Sequence, residues 1–279
     1  MDKLLSSAVR SEMVYSDPVY IKEIWDYTLR EITPVLDTTE NRYYTELLGV
    51  QSEPMFIQSP PETQQDAQAY LWEKDTTIYL TFRGTSSKKD ALADMNVIPH
   101  KIKDDIYVHK GFYNQFKSIE PVITAELQSE KYKDHITTIH VSGHSLAAAL
   151  SQIAAAYYGD MFPELSIICH SFGCPRVGNK KFIEWFGTHV KEHMRVVNSH
   201  DPITMIPQRS CWYHTPMCLT FYSDTNFKMN EKDSRWYIVR FVSSLFRINC
   251  LDPIKDHTCE LYIQRLENQS IPRISSSII

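Results

Sequence analysis

The residues Gly143-His144-Ser145-Leu146-Ala147 lie between an alternating β-branched run (Ile136, Ile139, Val141) and an alanine-rich stretch that reaches Tyr158. A short strand, a sharp turn and a helix in that order would set Ser145 at the turn. Its hydroxyl would stand clear of the main chain, and the next amide would open a helix N-terminus that favours negative charge. A serine presented this way suits nucleophilic attack on a carbonyl. The pattern follows G-x-S-x-G in outline, with Ala147 where the second glycine usually stands. The competing reading is an ordinary strand-to-helix loop in which the serine caps the helix.

A serine hydroxyl is a weak nucleophile at neutral pH until an imidazole takes its proton, and that imidazole needs a carboxylate to hold its tautomer. The chain has 11 histidines to choose from. Taken alone, Asp201 before Pro202 fits a plain Asp-Pro turn. His189 and His193 are spaced one helical turn apart but have no third ligand in view, and the six cysteines show no CxxC spacing. No metal or other cofactor is implied.

Helices and strands must position these groups. In a chain of 279 residues, 43% hydrophobic content supplies a full core, and the length suits one large α/β domain or at most two small ones; the expectation is a single domain, with residues 1–55 a helical segment and 56–270 the core. A net charge of −5 argues against nucleic acid as a partner. The N-terminal apolar run is too short for a signal peptide, and no stretch reaches membrane-spanning length, so an intracellular protein with reduced thiols is expected. Oligomeric state is left open. Residues 4–32 read as helical, with Ile21, Ile24, Trp25, Thr28 and Leu29 on one face, and residues 37–53 are ambiguous. Residues 67–72 and 76–82 alternate as an antiparallel hairpin. Residues 111–130 predict a helix that Pro121 could kink, 165–171 a buried strand, 180–191 a helix and 194–198 a strand. Beyond Pro202 the chain is loop-rich, with a last helix after His257. Strands alternating with helices predict a mostly parallel sheet flanked by helices, with an antiparallel hairpin near its start.

Four separated motifs carry a resemblance: FRGT (82–85), VHKGF (108–112), GHSLA (143–147) and CPRVGN (174–179), followed by VNSHDPITMIP (197–207). Their order and spacing resemble the class 3 lipase family, the fungal triacylglycerol lipase-like α/β-hydrolases. The similarity covers roughly residues 65–266 and is weakest between 208 and 256. It implies a serine hydrolase whose triad runs Ser, Asp, His along the chain, with Ser145 as nucleophile and Asp201 as acid. His257, in DPIKDHTCELYI, matches the base at the opening of the final helix, whereas His214 resembles a non-catalytic segment. His144 is read as a packing or hydrogen-bonding residue. The implied oxyanion donors are the amide of Leu146 and the amide and hydroxyl of Thr85, with Asp94 orienting Thr85 or, on the plainer reading, a surface charge. Ala147 and Ala148 depart from the family's glycine pair, so a slightly displaced helix is expected.

The resemblance also places a lid between Thr85 and Pro99. Residues 86–94 hold Leu92 as the one large apolar side chain there, which predicts little interfacial activation. Residues 236–248 mix bulky apolar side chains with Arg240 and Arg247, as suits either a segment lying on a lipid surface or a core helix. The expected function is hydrolysis of lipid carboxylic esters, acylglycerols first and phospholipids second, through an acyl-enzyme. The alternative is a lipase-like binding or scaffolding protein with little or no turnover.

Overall fold

Alternation along residues 67–82 folds as the antiparallel pair β2 (Gln68–Lys74) and β3 (Thr77–Arg83), which turn through Asp75 at a φ of 55°. The computed structural model describes residues 1–30, 38–84, 98–208, 211–229 and 255–270. Within these, an eight-stranded sheet has the order β1-β2-β3-β6-β7-β8-β9-β10. Its parallel centre is β3, β6 (Thr138–His144), β7 (Ser166–Phe172), β8 (Glu192–Asn198) and β9 (Cys218–Phe221). Antiparallel strands close both margins: β1 (Met55–Gln58) against β2, and β10 (Phe227–Met229) against β9. A separate hairpin joins β4 (Pro99–Lys103) to β5 (Ile106–His109). The α/β class and the early hairpin are as the sequence predicts. Strands β1, β4, β5, β9 and β10 are additional, because each is short and shows little alternation of its own.

Each face of the sheet carries its own core. Along β2, Ala69 and Leu71 join one and Tyr70 and Trp72 the other, as the two-residue period of a strand requires. The first core takes α4 (Lys110–Leu127), α5 (Leu146–Met161) and α6 (Lys180–His189). Helix α4 runs through Pro121 and buries Phe112, Phe116, Ile119 and Ile123. The second core takes α1 (Asp2–Met13), α2 (Pro18–Leu29), α3 (Thr38–Leu47) and α7 (Cys259–Ser270). The continuous helix expected over 4–32 is broken between Met13 and Pro18. Asp17 caps α2 by accepting from the Val19 amide at 2.8 Å, and Pro18 takes the first helical position, where it lacks no needed donor. Ile21, Ile24, Trp25 and Thr28 are buried, but Leu29 is 51% exposed. Among the described residues no helix is long and apolar enough to cross a membrane. The expected segments at 86–94 and 236–248 lie outside the described residues.

Helix α1 is fastened to the sheet by polar as well as apolar contacts. Ser7 Oγ lies 2.7 Å from His170 Nδ1 and 3.1 Å from His140 Nε2, and Arg10 donates to that oxygen at 2.9 Å and to Glu46 at 2.7 Å. Burial, with Arg10 next, drives both imidazoles toward the neutral form: His170 is pushed down to about 3 and His140 well below the usual range. Glu192, at 3.9 Å from His170 Nε2, is half exposed and does not offset this.

These rings bind protons near pH 6.5 in the unfolded chain but not in the folded one. Below that pH the unfolded state therefore takes up more protons, and stability falls as pH falls, by up to about 1.4 kcal/mol per pH unit for each ring. The melting temperature should decline progressively from pH 6.5 toward pH 4. The His170→Gln variant should show a shallower decline, and an equally steep slope in that variant would remove the ring as its source.

Candidate active site

Ser145 sits between the end of β6 and the start of α5 with φ 63° and ψ −128°, a conformation that costs a non-glycine residue about 1–3 kcal/mol. Its amide donates to the Phe172 carbonyl of β7 at 2.9 Å, and its carbonyl accepts from the Ala148 amide at 3.1 Å. The turn can be this tight because Gly143 has no side chain: a Cβ there would stand 2.5 Å from the Ala147 carbonyl oxygen and 2.6 Å from Ser151 Oγ. Ala147 and Ala148 are wholly buried, so their methyls pack while Gly143 preserves the close approach of helix to strand. The Ser145 side chain makes no capping bond to α5, so the plain N-cap reading does not describe it.

The Ser145 hydroxyl instead meets His257, which lies on a one-turn 3-10 segment (Lys255–His257) just before α7. Nε2 of His257 is 2.6 Å from Ser145 Oγ, and its Nδ1 is 2.7 Å from Asp201 Oδ2. Asp201, in the turn after β8, is 0% exposed and His257 2%. A carboxylate so buried needs donors. Tyr262 of α7 donates its hydroxyl to Oδ2 at 2.7 Å, and the Ile203 amide donates to Oδ1 at 2.9 Å. Burial raises the Tyr262 phenol well above its usual range, so it keeps the proton it donates.

Three side chains more than fifty residues apart in sequence thus form one hydrogen-bonded line, which can move a proton from a hydroxyl to an imidazole beside a buried carboxylate. Sequence reasoning passed over two of its supports. Tyr262 gives no local signal, because only the docking of α7 brings it to Asp201. Gly173, after β7, has φ 58°, and a Cβ there would stand 2.8 Å from Asp201 Oδ2 and 3.0 Å from His257 Nδ1. A glycine ending a buried strand was the available clue.

The remaining candidates fall elsewhere. His214 donates from Nε2 to the Thr204 carbonyl at 2.8 Å, holding the turn that follows Asp201. His189 hydrogen-bonds the Trp185 carbonyl, and His193 packs edge-on to Phe186, so the pair does not converge. Among the described residues no cluster of three or more His, Cys, Asp or Glu could hold a metal ion. Cys169 and Cys174 are buried thiols. Leu146 is the first residue of α5, which puts its amide beside Ser145. Thr85 and Asp94 lie outside the described residues.

Residues 79–211 match the family model described as Lipase (class 3), and the resemblance carried by the four motifs is to that family. A lipase of Rhizopus niveus is 28% identical over 204 residues, which cover 67% of this chain and 50% of the relative. A chloroplastic phospholipase A1 of Arabidopsis thaliana is 29% identical over 160 residues, 47% of this chain and 32% of the relative. The matched part therefore spans about half or less of these relatives' lengths. The solved structure of a triacylglyceride lipase of Rhizomucor miehei superposes with a TM-score of 0.69 over 88% of this chain and 91% of that one, at 21% identity, which shows the shared fold.

Removing the Tyr262 hydroxyl leaves Asp201 one donor short while keeping the ring. A hydrogen bond to a buried charge is worth about 1.5 kcal/mol or more, so Tyr262→Phe should slow the reaction of Ser145 with a fluorophosphonate about tenfold. Labelling at the wild-type rate would show that Asp201 does not depend on this donor.

Proposed function

We propose that this chain, with its class 3 lipase match over residues 79–211, is a serine hydrolase of lipid carboxylic esters. The observation that carries the reading is the line Ser145 Oγ, His257 Nε2, His257 Nδ1, Asp201 Oδ2, with bonds of 2.6 and 2.7 Å, built on a strained elbow. In this reading His257 removes the Ser145 proton as the oxygen attacks the ester carbonyl. Asp201 holds the imidazole with Nδ1 protonated and Nε2 basic, and stabilises the imidazolium that forms. The Leu146 amide, at the N-terminus of α5, is the first oxyanion donor, and Thr85 is assigned the second from its motif. Collapse of the tetrahedral intermediate passes the proton from His257 to the leaving alcohol and leaves an acyl group on Ser145. Water activated by the same imidazole then releases the acid.

The substrate reading comes from the relatives. Acylglycerols are proposed first, on the likeness to a secreted mono- and diacylglycerol lipase of Fusarium solani, and phospholipids second, on the likeness to the Arabidopsis phospholipase. Residues 236–248 are proposed, on their sequence alone, as the part that meets a lipid surface.

Ser145→Ala should abolish both fluorophosphonate labelling and hydrolysis of soluble nitrophenyl esters. His257→Ala should cut turnover by orders of magnitude, about 10⁴-fold or more. His214→Ala should act through melting temperature, because it removes the bond to the Thr204 carbonyl that holds the turn after Asp201. A wild-type protein that takes no label and cleaves none of a panel of nitrophenyl esters, acylglycerols and phospholipids would favour the non-hydrolytic, lipase-like binding role.

A further inference from the structure

The break between α1 and α2 places Tyr15 beside His144, the neighbour of Ser145, although it lies far upstream of the residues that match the lipase family. Its hydroxyl is 3.3 Å from His144 Nδ1, and the two rings meet edge-on at 6.3 Å. Nε2 of His144 lies 2.7 Å from the main-chain carbonyl oxygen of His257, and the two imidazoles are tilted 33° at a centroid distance of 4.6 Å. A carbonyl only accepts, so His144 carries its proton on Nε2, and in the neutral ring Nδ1 must then accept. Tyr15 is therefore the donor. A Cβ on Gly84 would collide with the same phenol oxygen, so that residue too is fitted to Tyr15.

This chain of bonds has a directional logic. Tyr15 donating to Nδ1 selects the one tautomer of His144 whose Nε2–H can hold the His257 carbonyl. In the other tautomer Nε2 would present a lone pair to that oxygen, and the two would repel. Burial raises the Tyr15 phenol pKa, so it remains a donor at any working pH. His144 adjoins Ser145 in sequence, and the carbonyl it holds belongs to His257, so a single ring spans both ends of the 2.6 Å contact between Ser145 and His257.

We propose that Tyr15 is a positioning residue: through His144 it fixes the placement of His257 over the elbow, and so the geometry of the proton transfer from Ser145. This rests on the reading of Ser145 and His257 as nucleophile and base. Tyr15 touches neither of them and acts only through His144 and the main chain.

The test compares full-length wild type, Tyr15→Phe, His144→Gln and the double variant. Active sites are counted by titration with a fluorophosphonate, and kcat and KM are measured per titrated site on a soluble nitrophenyl ester. A merely structural role would lower the melting temperature and the number of active sites but not turnover at each site. Tyr15→Phe should lower kcat per site about tenfold with KM within about twofold. The double variant should be no slower than His144→Gln alone, because both changes cut one path. Unchanged kcat per site in Tyr15→Phe, or losses that multiply in the double variant, would overturn the positioning role while leaving the hydrolase reading intact. Should Tyr15→Phe fail to fold, unchanged kcat per site in His144→Gln would overturn it equally. A wild-type chain that does not titrate would overturn the hydrolase reading, and this inference with it.

Discussion

The close approach of α5 to β6 at Gly143 is the constraint on which the site depends. With no Cβ at Gly143, the first turn of the helix drops onto the strand, and Ser145 is forced to a φ of 63° at the summit of the turn. That strain persists because its surroundings hold it from both sides: the Phe172 carbonyl takes the Ser145 amide, and the wholly buried Ala147, Ala148 and Ala149 leave the helix no other resting place. Any larger residue at Gly143 would push against helix backbone, which cannot move aside as a flexible side chain can.

From that point the sheet does the rest. Strands β6, β7 and β8 are parallel neighbours, so their carboxyl ends open on one edge of the sheet. Ser145 follows the first, Gly173 the second and Asp201 closely follows the third. Ligand sites of open α/β sheets form in this crevice outside the strand ends. The middle position must be small, because the Asp201 carboxylate and the His257 ring pass directly over it. Glycine at 173 is thus a consequence of strand order, not of its own neighbourhood in the chain.

The two faces of the sheet contribute differently. One core carries α5 and so sets the elbow. The other carries α1, α2 and α7: Tyr262 is on α7, His257 lies just before it, and Tyr15 lies in the break between α1 and α2. Polar groups buried at this second interface are joined in sets: Asp201 with three donors, and His140 and His170 with Ser7 and Arg10. Each set is costly to leave half made, which ties docking of the N-terminal and C-terminal helices to the same orientation.

Local sequence was sufficient for several features made by neighbours in the chain. The hairpin of β2 and β3, the strand, turn and helix around Ser145, and the helix after His257 all follow from period, β-branching and composition within a dozen or so residues. The ordered motifs extended this to Asp201 and His257, which the structure brings to Ser145. The short strands β1, β9 and β10 were not legible, because pairing along the sheet margins defines them, not their own alternation. The break at Asp17 was written in the Asp-Pro pair but masked by the apolar period on either side of it. Tyr15 and Tyr262 could not be read at all: each is an unremarkable residue locally, and acquires its partner only when elements distant in sequence pack together. A chain specifies backbone conformation through contacts over a few residues, whereas a buried hydrogen bond between remote side chains exists only after the cores have closed around it.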